Sequence, residues 1–260
     1  MSFLTSEVIN RLGKKLQVRQ QAIATAQLFL RRFYTKVEIR RTNPYLLAAT
    51  ALYLACKTEE CPQHIRMVVN GANDFWPDLF GPRDTSRLGE CEFFLISEMN
   101  SQMIVHQPYR SLGVLAPEFA LTPDETQQAW TIINDHYMTD LPLLYAPHII
   151  ALTAILLVLA PTWAMTSHRS GQAQQNFGPA SLQRTAQDRL GPTMDQKAAQ
   201  AAKAKLEKFQ LWLSASSVDA EAMIDASQEM ISLYEVLADY SEKSVEGQIH
   251  RFIKGRNLNK

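Results

Sequence analysis

The stretch from Asn43 to Glu60, NPYLLAATALYLACKTEE, restricts the architecture more than any other part of the chain. Between Tyr45 and Cys56 only Thr50 interrupts the apolar run. A helix that is apolar on every side has to be covered on every side, so other helices must pack around it. Asn43 is suited to cap its N-terminus, and Pro44 falls at the first helical position, where the missing N–H is not needed. Ala48, Ala51 and Ala55 recur at helical spacing and let neighbouring backbones come close. The character then reverses: Lys57, Glu59 and Glu60 follow at once, and Pro62 ends the run. The pattern predicts a central helix over 44–58 that delivers a cluster of charge to the surface at its C-terminal end.

The pattern returns once. In Pro147 to Ala160 the proline and two alanines, Pro147, Ala151 and Ala154, keep the offsets of Pro44, Ala48 and Ala51, with Ile155 matching Leu52 and Leu157 matching Leu54. A repeat at this scale implies two similar helical domains, each built on one buried helix. The second copy ends in Ala160-Pro161 without Lys or Glu, so the working surface is expected on the first.

The 260 residues accommodate two domains of ordinary size, and an apolar fraction of 46% supplies their cores. With 26 basic and 26 acidic side chains, the chain lacks the cationic surplus that drives bulk binding to nucleic acid or an anionic membrane. Three cysteines, Cys56, Cys61 and Cys91, fit a reducing compartment better than a disulfide framework. Met1 to Lys15 has no apolar core of a signal peptide. The longest apolar run, Ile149 to Ala160, falls well short of the ~20 residues of a membrane span.

Apolar periodicity predicts helices over 3–16, 19–37, 44–58, 62–70 and 85–103, the last burying Leu88, Cys91, Leu95 and Met99. The segment 71–84 carries Gly71, Asn73, Asp74, Pro77, Gly81 and Pro82 and reads as a loop. Further helices are expected over 108–116, 122–138, 147–160, 206–215, 217–240 and 244–254, with Thr122-Pro-Asp-Glu125 forming a capping box. Residues 163–203 are rich in Gln, Ala, Ser, Thr and Gly; they read as a flexible insertion whose tail, 194–206, favours helix. No segment sustains an alternation of period two. The expected fold is all-α, with an N-terminal domain over 1–105 and a C-terminal domain over 106–260 that carries the insertion.

No signature of catalysis is present: neither a phosphate-cradling glycine loop, nor Gly-x-Ser-x-Gly, nor HExxH. Cys56, Cys61 and His64 lie close in sequence, but their spacing fits no common zinc pattern and a fourth ligand is not evident, so small buried thiols are the expected role. Neither a metal nor a cofactor is expected. Glu92 interrupts the apolar run Cys91-Glu-Phe-Phe-Leu-Ile96 one position from the buried stripe. Where helices 44–58 and 85–103 are neighbours, Lys57 and Glu92 meet at one edge of the bundle. Two readings are then open. One is a surface salt bridge worth ~0–1 kcal/mol. The other is a binding pair, its ammonium donating to a partner's carbonyls and its carboxylate accepting from N–H groups.

These residues carry a resemblance. Leu54-Ala-Cys-Lys57-Thr-Glu-Glu60 resembles the signature of the cyclin box, and Glu90-Cys-Glu92-Phe resembles that family's second functional element. Within the cyclins, Val18 to Ala26, Arg32-Phe-Tyr34, His106-Gln-Pro-Tyr-Arg110, Thr139-Asp-Leu141, Leu144-Tyr-Ala-Pro147, Ile150-Ala-Leu152 and Leu213 to Val218 are similar to the fungal type of the cyclin C family, the cyclins of the Mediator kinase module. The resemblance covers about residues 5–160 and 206–240. It implies two tandem five-helix cyclin boxes and a regulatory, non-catalytic subunit that resides in the nucleus. Such a subunit binds and activates a Mediator-associated cyclin-dependent kinase and, with other kinase-module subunits, regulates transcription by RNA polymerase II. It also implies that Lys57 and Glu92 contact the kinase near its mobile αC helix. Glu59 and Glu60 would face kinase arginines near the activation loop. Three departures stand out. The chain starts close to the first box helix, without the longer N-terminal segment expected of this family; the 163–203 insertion replaces a shorter connection; and Thr58 replaces a bulkier residue. The alternative is a cyclin-fold general transcription factor of the TFIIB type, a DNA- and protein-binding module, which calls for a strongly basic surface and a zinc ribbon that this sequence does not show.

Overall fold

The computed structural model describes residues 2–173, 194–239, 241–256 and 258. Among them are thirteen α-helices, one 3-10 turn and no strand, in agreement with the all-α expectation. In chain order the helices are α1 (Ser2–Lys15), α2 (Gln20–Tyr34), α3 (Pro44–Thr58), α4 (Ile65–Phe75), α5 (Pro77–Phe80), α6 (Thr85–Glu98), α7 (Pro108–Glu118), α8 (Pro123–His136), α9 (Leu141–Leu144), α10 (Pro147–Ala173), α11 (Met194–Ala215), α12 (Ala220–Asp239) and α13 (Glu242–Arg256). No described helix is long and apolar enough to cross a membrane.

The chain forms two compact units, one of Met1–Gln107, Asn134–Tyr145 and Glu229–Lys260, the other of Pro108–Ile133 and Ala146–Gln228. This division departs from a boundary at 105/106. Ile249 and Ile253 of α13 sit in the same core as α1 and α3, which draws the C-terminus into the first unit. The 134–145 segment joins it through Arg31, whose Nε donates to the Tyr137 carbonyl at 2.8 Å and whose guanidinium pairs with Asp140 at 2.5 Å.

In the first unit α3 is the central element, packed by α1, α2, α4 and α6. Ala48, Ala51 and Ala55 are wholly buried, so the close approach expected of small residues is present. The Asn43 side chain accepts from the N–H groups of Tyr45 at 3.0 Å and Leu46 at 3.4 Å, which satisfies donors left orphaned at a helix start. Its Nδ2 donates to the Leu79 carbonyl at 2.6 Å and so ties the start of α3 to α5.

The expectation of a loop over 71–84 is met only at its end, over 81–84, and overturned before that. Residues up to Phe75 belong to α4, and α5 follows over Pro77–Phe80. Gly71 marks a close packing contact rather than a turn: a Cβ there would lie 3.1 Å from Leu12 Cδ1. Asn73 is likewise recruited into tertiary structure, its Nδ2 donating to the Gly81 carbonyl at 2.8 Å and its Oδ1 accepting from Arg83 Nε at 2.9 Å. The helix expected over 85–103 ends instead at Glu98, because Asn100 and Ser101 adopt positive φ.

In the second unit α10 takes the place of α3, with Ala151, Ala154 and Ile155 wholly buried. α7 and α11 flank it, and Phe119 packs on Phe209 at 5.0 Å and edge-on to Trp212 at 5.5 Å. The capping box at the start of α8 is formed: the Thr122 N–H donates to Glu125 Oε2 at 2.7 Å and the Glu125 N–H to Thr122 Oγ1 at 3.2 Å. Of the expected insertion at 163–203, residues to Ala173 continue α10 and those from Met194 begin α11; 174–193 lie outside the described residues.

Candidate functional site

The C-terminus of α3 is closed by paired backbone bonds, from the Cys61 N–H to the Cys56 carbonyl at 2.9 Å and from the Glu60 N–H to the Lys57 carbonyl at 3.4 Å. This is the Schellman arrangement, and it places the residue after the cap in the left-handed region, where glycine is favoured. Here that residue is Glu60, at φ 54°. The conformation costs a non-glycine residue about 1 kcal/mol, and the Glu60 side chain is exposed.

α3 and α6 are neighbours. Lys57 Nζ and Glu92 Oε1 form an ion pair, and the Lys57 ammonium also lies 4.7 Å from the centroid of the Tyr53 ring one turn earlier. The partners are buried unequally, the Glu92 side chain being 10% exposed and that of Lys57 42%. Sequence spacing had put Glu92 beside a buried stripe containing Cys91. The buried positions are in fact Leu88, Glu92, Leu95 and Met99, with Cys91 partly covered. Cys91 and Glu92 both turn toward α3, the thiol within hydrogen-bonding reach of Thr50 and the carboxylate against Lys57, its counter-charge.

Apolar surface surrounds the pair. An open depression of about 320 Å³ is lined by Leu54, Lys57, Thr58, Glu92, Phe93, Ile96 and Met103. Phe94 packs edge-on to Phe33 at 5.4 Å, whereas Phe93 is 76% exposed. Leaving so large an apolar ring in water forgoes ~1.5–3 kcal/mol of burial. Phe93 was absent from the residues singled out in the sequence. Its signal was available: two positions before Leu95 and five after Leu88, it falls off the buried face of α6. A wider depression of about 650 Å³, lined in part by Leu30, Arg31, Tyr34, Val37, Asp140 and Leu143, lies elsewhere on this unit. Its guanidinium is engaged by Asp140 and the Tyr137 carbonyl.

The two acidic residues after Lys57 differ. Glu59 Oε1 accepts from Thr25 Oγ1 at 2.6 Å, which anchors that carboxylate on α2, whereas Glu60 is exposed. Cys56 is wholly buried, and burial followed by the neighbouring Cys61 pushes its thiol up to about 12, so it is no nucleophile at neutral pH. His64 caps α4, its Nδ1 accepting from the Arg66 N–H at 3.2 Å. Among the described residues no group of three or more His, Cys, Asp and Glu side chains is placed to hold a metal ion.

Residues 4–102, which span this buried helix and the helices packed around it, match the family model described as Cyclin, N-terminal domain. The relatives are more particular. The chain is 49% identical over 255 residues to an RNA polymerase II holoenzyme cyclin-like subunit of Aspergillus oryzae, covering 98% of this chain and 83% of the relative. It is 46% identical over 296 residues to the subunit of the same description in Neurospora crassa, covering 98% and 85%. The chain therefore belongs to the cyclin family, among the RNA polymerase II holoenzyme cyclin-like subunits. Two solved structures share its fold. One is a chain of the CAK complex from Chaetomium thermophilum bound to ATP-gamma-S, with TM-score 0.57, 20% identity and coverage of 100% of this chain and 71% of that one. The other is a chain of the yeast TFIIK complex, with TM-score 0.56, 18% identity and coverage of 89% and 83%.

Proposed function

We propose that this cyclin binds the catalytic subunit of a cyclin-dependent kinase through the Lys57–Glu92 edge of its first cyclin box, activates it, and acts in the nucleus within the Mediator kinase module. The observation that carries this reading is the ion pair set at the margin of an exposed apolar depression, with Phe93 standing beside it. Apolar contacts supply the affinity; the pair fixes orientation, Lys57 donating to backbone carbonyls and Glu92 accepting from backbone N–H groups. The nuclear and transcriptional setting is supported by the relatives' description as RNA polymerase II holoenzyme subunits.

The mechanism requires no chemistry from this chain. A protein kinase is active when its β3 lysine pairs with the αC glutamate and its DFG aspartate holds Mg²⁺. A rigid surface that binds the αC-in state better than the αC-out state shifts that equilibrium by its differential affinity. A reversal from 1:99 to 99:1 takes ~5.5 kcal/mol. Glu59 and Glu60 extend the surface with negative charge and act as counter-charges for kinase arginines near the activation loop.

The test is the double variant Lys57→Ala/Glu92→Ala mixed with the purified kinase. It keeps its helical circular dichroism, binds at least tenfold more weakly and fails to activate. Full activation by the folded variant removes these residues from the interface.

A further inference from the structure

Glu59 is the last member of a chain of hydrogen bonds drawn from distant parts of the first unit. The Tyr137 hydroxyl donates to Gln107 Oε1. Gln107 Nε2 donates to Thr25 Oγ1 at 2.6 Å and also approaches the Gln21 carbonyl at 3.3 Å. Thr25 Oγ1 donates to Glu59 Oε1 at 2.6 Å. Thr25 is wholly buried and Tyr137 nearly so, whereas Gln107 and Glu59 are half-buried, so the Thr25 hydroxyl finds its partners within the network.

The polarity of the chain follows from its end. An ionised carboxylate can only accept, so the single Thr25 proton points to Glu59. The Thr25 oxygen must then accept from its other neighbour, which fixes the Gln107 amide with nitrogen toward Thr25 and oxygen toward Tyr137. Flipping the amide would set two acceptors against Thr25 and leave one unpaired. Every proton in the series therefore has one place, and all of them orient the same carboxylate.

A free glutamate would lose its rotamer freedom on meeting a partner; this one has lost it already, the preorganisation that strengthens binding without adding a contact. Only Oε1 is engaged, and among the described residues Oε2 has no intramolecular partner. Glu60, by contrast, is exposed. We infer that Thr25, Gln107 and Tyr137 are positioning residues that hold Glu59 as a fixed counter-charge for a cationic side chain of the bound kinase, while Glu60 supplies mobile charge beside it. This rests on the proposed kinase-binding role of the first unit.

The experiment compares Thr25→Val, Thr25→Ser, Gln107→Met, Glu59→Gln and Thr25→Val/Glu59→Gln, each as the full chain with the purified kinase. The readouts are kinase turnover at saturating cyclin, Kd by calorimetry at two salt concentrations, and melting temperature of the free cyclin. Glu59→Gln lowers turnover or affinity by about tenfold, the worth of a charge-assisted bond. Thr25→Val and Gln107→Met each lose about threefold or more, Thr25→Ser restores the wild-type value, and the double variant is no worse than Glu59→Gln alone. A purely structural role for Thr25 would persist in the Glu59→Gln background, and such additivity overturns the inference. So does a defective Glu59→Gln beside normal Thr25→Val and Gln107→Met. Should Thr25→Val fail to fold, Gln107→Met, at a half-buried position, decides alone. A normal Glu59→Gln overturns the inference together with Glu59's kinase contact, whereas loss of the Lys57–Glu92 reading alone shows as full activation by Lys57→Ala/Glu92→Ala.

Discussion

Replacing Lys57 by methionine should hurt the isolated protein more than replacing Glu92 by glutamine, although each change breaks the same ion pair. The reason is unequal burial. With Lys57 gone, the Glu92 carboxylate, 10% exposed and between α3 and α6, keeps its charge and loses its counter-ion. An uncompensated buried group of this kind costs about 1–3 kcal/mol. With Glu92 neutralised, the Lys57 ammonium, 42% exposed and still 4.7 Å from the Tyr53 ring, is solvated by water. The loss is then that of a surface pair, ~0–1 kcal/mol. Methionine retains most of the lysine stem, so lost packing contributes little to the comparison. Urea unfolding of wild type, both single variants and the double variant closes a thermodynamic cycle. With the double variant near Glu92→Gln alone, the coupling energy should match the Lys57→Met penalty, about 1–3 kcal/mol. A Lys57→Met penalty no larger than that of Glu92→Gln, or a coupling within ~0.3 kcal/mol of zero, would refute the claim that α6 buries a carboxylate satisfied by Lys57.

Other outcomes follow from the same geometry. Glu60→Gly relieves the left-handed conformation at φ 54° and should raise stability by ~0.5–1 kcal/mol in urea unfolding while weakening kinase binding. Gly13→Ala should destabilise by ~1–3 kcal/mol through overpacking, because the new Cβ would lie 2.7 Å from both Ile23 Cγ1 and Cδ1; thermal melts check it. Burial alone would raise the Glu125 carboxyl, but hydrogen bonds from Lys205 Nζ and the Thr122 N–H outweigh it and hold the group below its ordinary 4.5. A depressed folded-state pKa stabilises fully above the unfolded value and less as pH falls through the folded one. Unfolding of wild type against Glu125→Gln should therefore differ at pH 7 and converge in acid as pH falls through the depressed folded-state pKa.

How far the sequence could be read depended on whether the signal was local. The bounds of α3 were legible because Asn43, Pro44 and the reversal at Lys57 are adjacent in the chain and each has one local meaning. The Lys57–Glu92 pair was legible because two helical stripes fix which ends meet once the helices are neighbours. The burial of Glu92 was not, since hydropathy leaves a carboxylate at the margin of the stripe and only a cation arriving from α3 lets it be covered. The segment 71–84 misled for a related reason: Gly71 and Asn73 are turn formers in isolation, but one makes room for Leu12 and the other binds the Gly81 carbonyl. The network behind Glu59 joins residues 30, 34 and 82 positions apart and leaves no periodic trace.

The most direct measurement is calorimetric titration of this protein into a purified cyclin-dependent kinase of the Mediator class, with kinase turnover on a peptide substrate read from the same samples. The account predicts a 1:1 complex and a rise in turnover on the order of 100-fold as the αC-in population grows from about 1% toward 99%, both lost with Lys57→Ala/Glu92→Ala. A folded wild-type protein that gives no heat of binding and leaves turnover unchanged would contradict it.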